Sequence, residues 1–422
     1  MKKVLAVFAL LASMCLATGA QASDAPGYGL VVGGMVNADM GWQILGKDSN
    51  FANNSDSTIA NFFASVNSDS YLRATYTSAD KATGAVIEFG LFSAVNADNN
   101  GSRDDGGAYL RYAYGWWNVG SCKLLVGQMD GRLADGGTLQ ALGDMKSGKG
   151  GSAGFGFIGA TRNPKVALQV DVNDNVGFEI AIGQAGAEST IIAPSSIVAD
   201  SSSSNSYLPR LEAVVDFTFD NFTFGLGGGI SYQEAKAADA WNNFDYDDSV
   251  LSYLLWVPVE YSNGPFTVVL NAHFGQNVDT DWTGENTTDF DFYTNPNGIY
   301  GGQPGSLPVV KGTGSGYEIE NTTQWGVGLD FNFAVTDKLT LGLGGGVTYL
   351  QNDGWDVDGG KDNYTRWTVY VAAPYAITDN FTIQPELAYY NYGDLVGVDT
   401  TGFDNAEAGD EWLLGVHFQF LF

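Results

Sequence analysis

The chain holds only two histidines, His273 and His417, in 422 residues. Nucleophilic or metal chemistry needs such a group with orienting partners within hydrogen-bond reach. Neither histidine has neighbours at a ligand spacing, so both read as polar residues on strands. NDGWDVDGGKD, residues 352–362, has the acid density of a calcium loop, but Gly and Lys stand where such a loop needs its ligands and glycine. What these residue types offer instead is fixed charge. The segment QMDGRLADGGTLQALGDMKSGKGGSAG, residues 128–154, interleaves Asp130, Asp135 and Asp144 with Arg132, Lys146 and Lys149. Single bases (Arg73, Arg111, Lys123, Arg210, Arg366) and single acids (Asp39, Glu88, Glu212, Asp216, Glu386) lie inside runs that alternate with apolar residues. Charges held in that way make no bonds; they set a field for a passing ion or dipole.

The overall balance is strongly acidic, with 48 acids against 19 bases and a net charge of −29. Nucleic acid phosphates would be repelled, so no nucleic acid partner is expected, while cations would be attracted. At the N-terminus Lys2 and Lys3 precede the apolar run Val4–Leu16, and Ala20-Gln21-Ala22 offers small residues for cleavage. This predicts a secretory signal peptide over 1–22 and one mature domain over 23–422. Cys15 goes with the leader, and Cys122 alone cannot form an internal disulfide. No later stretch approaches the 18 or so apolar residues of a membrane helix. Any membrane passage must be by strands.

Strands are what the pattern predicts. In Leu339, Leu341, Leu343, Val347 and Tyr349 the odd positions are apolar, with Thr or Gly between them, and residues 222–233 repeat the scheme with Phe222, Phe224, Leu226, Ile230 and Tyr232. Period two over ten or more residues places one face of a strand against an apolar medium. Short polar turns near 79–83, 118–121, 173–175, 219–221, 262–265, 335–338 and 378–380 alternate with long loops at 46–57, 96–106, 128–153, 185–206, 235–248, 278–316, 352–363 and 393–410. That order gives about sixteen strands, from 28–45 to 411–422. Lipid offers no hydrogen bonds, so such a sheet must close on itself. The fold class is all-β, a transmembrane antiparallel up-and-down barrel.

Parity assigns each side chain a face. Leu72, Ala74 and Tyr76 face lipid and Arg73 the lumen; Leu110, Tyr112, Tyr114 and Trp116 face out and Arg111 in; Cys122, Leu124 and Val126 face out and Lys123 in. Arg210 and Arg366 likewise oppose apolar neighbours, whereas Pro164 predicts a bulge that leaves Arg162 without an assignment. A charge facing the bilayer centre costs about 2–4 kcal/mol, which drives these residues inward. Aromatics expected inside are Phe92, Tyr109, Trp117, Trp256, Tyr364, Tyr370 and Tyr390, whose faces could stack on sugars.

The leader, the strand count, the long loop after strand five and the ending EWLLGVHFQFLF together resemble the general porins of Gram-negative outer membranes. The resemblance implies location in the cell outer membrane among lipid and lipopolysaccharide, a homotrimer, and no cofactor. Loosely held divalent cations at the acidic loops would be the only addition. It implies that loop 128–153 folds into the lumen as a constriction, with Asp130, Asp135 and Asp144 facing a basic wall of Arg73, Arg111 and Lys123. It also implies that Phe418, Phe420 and Phe422 are read by the barrel-assembly machinery. The expected function is passive diffusion of small hydrophilic solutes, with cation preference and no enzymatic activity. A sugar-selective channel, or a plugged structural or adhesive barrel, are the alternatives.

Overall fold

The computed structural model describes residues 28–46, 59–66, 69–92, 107–131, 139–142, 155–158, 162–185, 208–236, 247–278, 282, 293–294, 300–301, 306, 309–313, 316–355, 362–394, 396 and 409–422. Its main sheet holds 18 hydrogen-bonded strand segments, all neighbours antiparallel. Two spans are interrupted, so the barrel has 16 strands. They are β1 (Gly29–Leu45), β2 in two pieces (Ile59–Val66 and Tyr71–Thr77), β3 (Thr83–Phe92), β4 (Gly107–Val119), β5 (Cys122–Met129), β6 (Asn163–Asn173), β7 (Val176–Gly183) and β8 (Arg210–Phe219). Then follow β9 (Phe222–Lys236), β10 (Asp247–Asn263), β11 (Phe266–Gln276), β12 (Thr323–Ala334), β13 (Thr340–Gln351), β14 in two pieces (Asn363–Ala372 and Tyr375–Thr378), β15 (Phe381–Asn391) and β16 (Asp410–Leu421). The turns and long connections fall where the polar clusters of the sequence place them. Among the described residues no helix is long and apolar enough to cross a membrane; the strands cross instead.

The sheet closes where β1 pairs with β16, from Met35 opposite Leu421 to Leu45 opposite Glu411. Phe422 extends the ladder by one rung, its N–H donating to Gly34 O at 3.1 Å and its carbonyl accepting from Gly34 N at 2.9 Å. Gly34 is needed there because a Cβ would stand 2.5 Å from the Phe422 ring and 2.6 Å from Tyr71 O.

The outer surface is apolar because each strand turns its alternate residues to lipid. Val36, Met40 and Trp42 on β1, Leu226 and Ile230 on β9, and Trp412, Leu414 and Phe420 on β16 are all exposed outward. Aromatic pairs mark both rims of that band. Near the long loops stand Trp42 with Phe62, Trp325 with Tyr349, and Tyr389 between Trp367 and Trp412. Near the short turns stand Phe217 with Phe224 and Phe266 with Phe333. Rings at two levels are how such barrels seat themselves at the two membrane interfaces.

Candidate functional site: the lumen and its third loop

Register shifts lie beside the short turns at Asp171/Asn173 and Ala376/Thr378, but the one that reverses parity within a described strand and shapes the interior is on β4. The β3–β4 ladder pairs Glu88 with Tyr112 and then Phe89 with Leu110, so Arg111 is an extra residue. A bulge of this kind puts two successive side chains on one face and reverses the alternation beyond it. Tyr112, Tyr114 and Trp116 therefore point inward, packed beside Leu125, Met129, Ala167 and Ala181, rather than to lipid as parity predicts. Trp117, expected inside, is outside and 53% exposed. The bulge expected at Pro164 is absent; Pro164 pairs with Gln128 without a shift of register.

The bulge assembles a cluster of bases, acids and rings on the wall of β2–β6. Glu88, with a fully buried side chain, takes Arg73 Nε at 2.5 Å and Arg111 Nε at 2.8 Å. Arg111 also reaches Asp69 at 3.1 Å. Arg73 lies over the rings of Tyr71 and Tyr112, and its side chain is 43% exposed to the lumen. Arg162 lies 5.4 Å over Tyr112 and 3.6 Å from Asp130, whose carboxylate accepts the Tyr112 hydroxyl. Arg162 sits outside the strands, and its guanidinium is held above its usual pKa: burial opposes the charge, but the Tyr112 hydrogen bond and the Asp130 carboxylate outweigh it. Next along the wall, Glu212 takes Arg210 at 2.9 Å and Lys165 at 3.3 Å. Lys123 lies 5.4 Å over Trp116. Asp216 faces inward opposite Gly225. Asp130 stands on the basic wall itself, not across from it. Arg132, Asp135, Asp144, Lys146 and Lys149 lie outside the described residues, as do 356–361 of the acid-rich 352–362 segment.

The far wall is built differently. Its inward acids and bases among the described residues include Asp39, Asp330, Arg366, Glu386 and Glu411, with the His417 ring 2.6 Å from Asp39 across the closing seam. Here residues 139–142 of the third loop, which connects β5 to β6, dock on the inner face. Glu386 on β15 accepts the backbone N–H groups of Ala141 at 2.7 Å and Leu142 at 3.2 Å. Gln384 donates to Leu139 O at 2.6 Å, and Gln140 donates to the Tyr390 hydroxyl. Leu142 is fully buried among Tyr370, Tyr390 and Leu413. The returning arm holds the wall again: Phe155 lies under Arg366 at 4.7 Å, Gly156 N–H donates to Thr348 Oγ1 at 2.7 Å, and Phe157 rests on Gly328. The inward glycines of β12 and β13 thus make a flat bed for the loop.

Such a closed barrel, apolar outside, charged inside and with described pieces of its third loop docked on the inner wall, is the architecture of an outer-membrane channel. Residues 25–415 match the family model described as the porin subfamily. The chain belongs to that family. The porin is similar in fold to the outer membrane channel DcaP of Acinetobacter baumannii, at 14% identity over 96% of this chain and 100% of that one, with a TM-score of 0.65. It is also similar to OmpT of Vibrio cholerae, at 11% identity over 93% and 97% of the two chains, TM-score 0.53. An anion-selective porin from Comamonas acidovorans matches at 11% identity over 93% and 99%, TM-score 0.53. Curated protein sequences give no match. The porin is thus an outer-membrane, multi-pass β-barrel channel; its long loops take the outer side and its short turns the periplasmic side.

Of the aromatics that sequence reading places inside, Trp256, Tyr364, Tyr370 and Tyr390 are inward but covered, in three separate packing clusters. Sequence reading missed Arg162, Lys165 and Asp69 as members of the charged wall. Lys165 was legible, since it alternates with Val166 and Leu168; Asp69 and Arg162 lie between strands, where no period assigns a face.

Proposed function

We propose that the porin is a water-filled pathway for passive diffusion of small hydrophilic solutes and ions, narrowed by the third loop and preferring cations. The observation that carries this reading is the tip of that loop, residues 139–142, seated on β15 on the far side from its own root. A segment crossing the interior sets the cross-section open to a solute. Cation preference follows from charge placement. On β2–β8 Arg73, Arg111, Arg162, Lys165 and Arg210 stand against Glu88, Asp69, Asp130 and Glu212, whereas among the described inward residues of β12–β16 carboxylates outnumber the one arginine, Arg366. The described residues of that wall carry a net negative charge, and a negative field concentrates cations. Arg73 and Lys123, exposed toward the lumen, would favour polar solutes whose dipoles align between the two walls.

The covered, divided aromatics favour this general pore over a stacked track for sugars. A homotrimer is part of the proposal, supported by the trimer form of the OmpT-type neighbour. So are removal of residues 1–22, recognition of Phe418, Phe420 and Phe422 by the assembly machinery, and loose divalent cations bridging the outer loops to lipopolysaccharide phosphates. The test is a planar bilayer under a KCl gradient. The expected reversal potential has the sign of cation preference; an anion-selective reversal would refute the charge reading, and absence of conductance would refute the channel.

A further inference from the structure

The inward faces of β9–β12 carry no Asp, Glu, Lys or Arg over Gly225–Ser231, Ser252–Trp256, Asn271–Gly275 and Gln324–Gly328. They carry neutral hydrogen-bonding groups and indoles instead. Trp256 donates to Asn271 Oδ1 at 3.0 Å, and the Gln324 amide nitrogen lies 3.0 Å from His273 Nε2. Over this patch lies Trp282, from the connection between β11 and β12. Its indole fills the slot left by Gly229, where a Cβ would meet the ring at 2.8 Å. Ile158 of the third loop joins Trp256 and Trp282 in one buried cluster, and Phe157 covers Gly328 opposite Asn271.

The cover is imperfect in a specific way. Ser231 Oγ, Asn271 Nδ2, Gln324 Oε1 and Trp282 Nε1 are all buried with no hydrogen-bond partner among the described residues. Buried polar atoms are nearly always satisfied, because leaving one unpaired is costly. Several on one inward face mean that the covered state is handicapped and that the patch is made to meet hydroxyl groups. A charged solute would find no counter-charge here. We infer that the face of β9–β12 is a subsite for a neutral polyol or sugar, with Trp282 as its displaceable cover. Solute hydroxyls take the free positions of Asn271, Gln324 and Ser231, while Trp256 supplies an apolar ring face. This inference rests on the channel reading and adds a solute class to one stretch of its wall.

Single-channel recording in KCl with added maltose or sucrose tests it. Wild type is expected to show concentration-dependent interruptions of the current. Asn271→Ala and Gln324→Ala should shorten them or abolish them, and Trp282→Ala should make them more frequent, with Trp282→Phe restoring the native rate. Migration of unboiled samples on gels checks that each variant folds. Interruptions that Asn271→Ala and Gln324→Ala leave unchanged would overturn the subsite. So would a conducting wild type and Trp282→Ala that both ignore the sugars. A wild type that carries no current refutes the channel itself, and the subsite with it.

Discussion

Glu386 is the point at which one side chain decides where the third loop lies. Its carboxylate holds the Ala141 and Leu142 N–H groups at 2.7 and 3.2 Å and also takes Gln384 Nε2 at 3.2 Å. Glu386→Ala leaves the part-buried Ala141 N–H and the buried Leu142 N–H without that acceptor. Hydrogen bonds to a charged group contribute about 1.5–3 kcal/mol each, so the docked loop should lose roughly 2–4 kcal/mol once the relief of burying a carboxylate is subtracted. At about 1.4 kcal/mol per factor of ten, the docked-to-undocked ratio falls by tens to hundreds of fold. Leu142, still buried, retains about 1.5–3 kcal/mol of docking from its side chain. The loop should therefore visit an undocked state rather than abandon its seat. Single-channel recording should show added open-channel noise and a higher-conductance substate, weaker in Glu386→Gln, which keeps one acceptor oxygen. Unboiled gel migration should not change, since Glu386 makes none of the barrel's ladder bonds through its side chain. Wild-type noise and conductance in Glu386→Ala would refute the reasoning, as would a Gln variant no milder than Ala.

Three further outcomes are expected. Gly34→Val should prevent closure, because its side chain would meet the Phe422 ring and the Tyr71 carbonyl; loss of the heat-modifiable folded band is the readout. Ile230→Arg faces lipid and should destabilise the barrel by about 2–4 kcal/mol in urea unfolding from vesicles. In the periplasmic turn after β2, the Ser78 hydroxyl and then the Ala82 N–H hold Asp80 below the usual carboxylate range. The turn is tightened above the ordinary carboxylate pKa and loosens as pH falls through the depressed value; Ser78→Ala should raise the Asp80 titration seen by NMR.

The architecture was legible because hydropathy period and turn chemistry are local signals. Runs such as Leu341-Gly342-Leu343 give both strand and face, and Phe219-Asp220-Asn221 gives a turn without any tertiary information. The bulge at Arg111 was not legible, since nothing in Tyr109–Trp117 marks where the extra residue enters. One inserted residue was enough to turn Tyr112, Tyr114 and Trp116 inward. Contacts between distant segments were hidden for a different reason. Glu386 reads as an inward acid, but its partners are backbone groups some 245 residues earlier, and a backbone N–H has no sequence signature. The third loop's inward fold came from resemblance, not from its composition. The division of the inward aromatics into separate clusters depends equally on loops whose docking the strand pattern does not encode.

The seam between Gly34 and Phe422 has a consequence for how the molecule comes into being. The first strand finds its second neighbour only in the last one, so the sequence separation of that contact is nearly the full length of the chain. Pairings of that kind form slowly, because the intervening chain must be ordered first. Until then every intermediate carries two raw strand edges, each a template for another chain. A polypeptide that lacks β16 never loses those edges, however good its remaining hairpins. Burial of both edges therefore waits for the last strand to reach the first, and a molecule without that strand stays open to proteases.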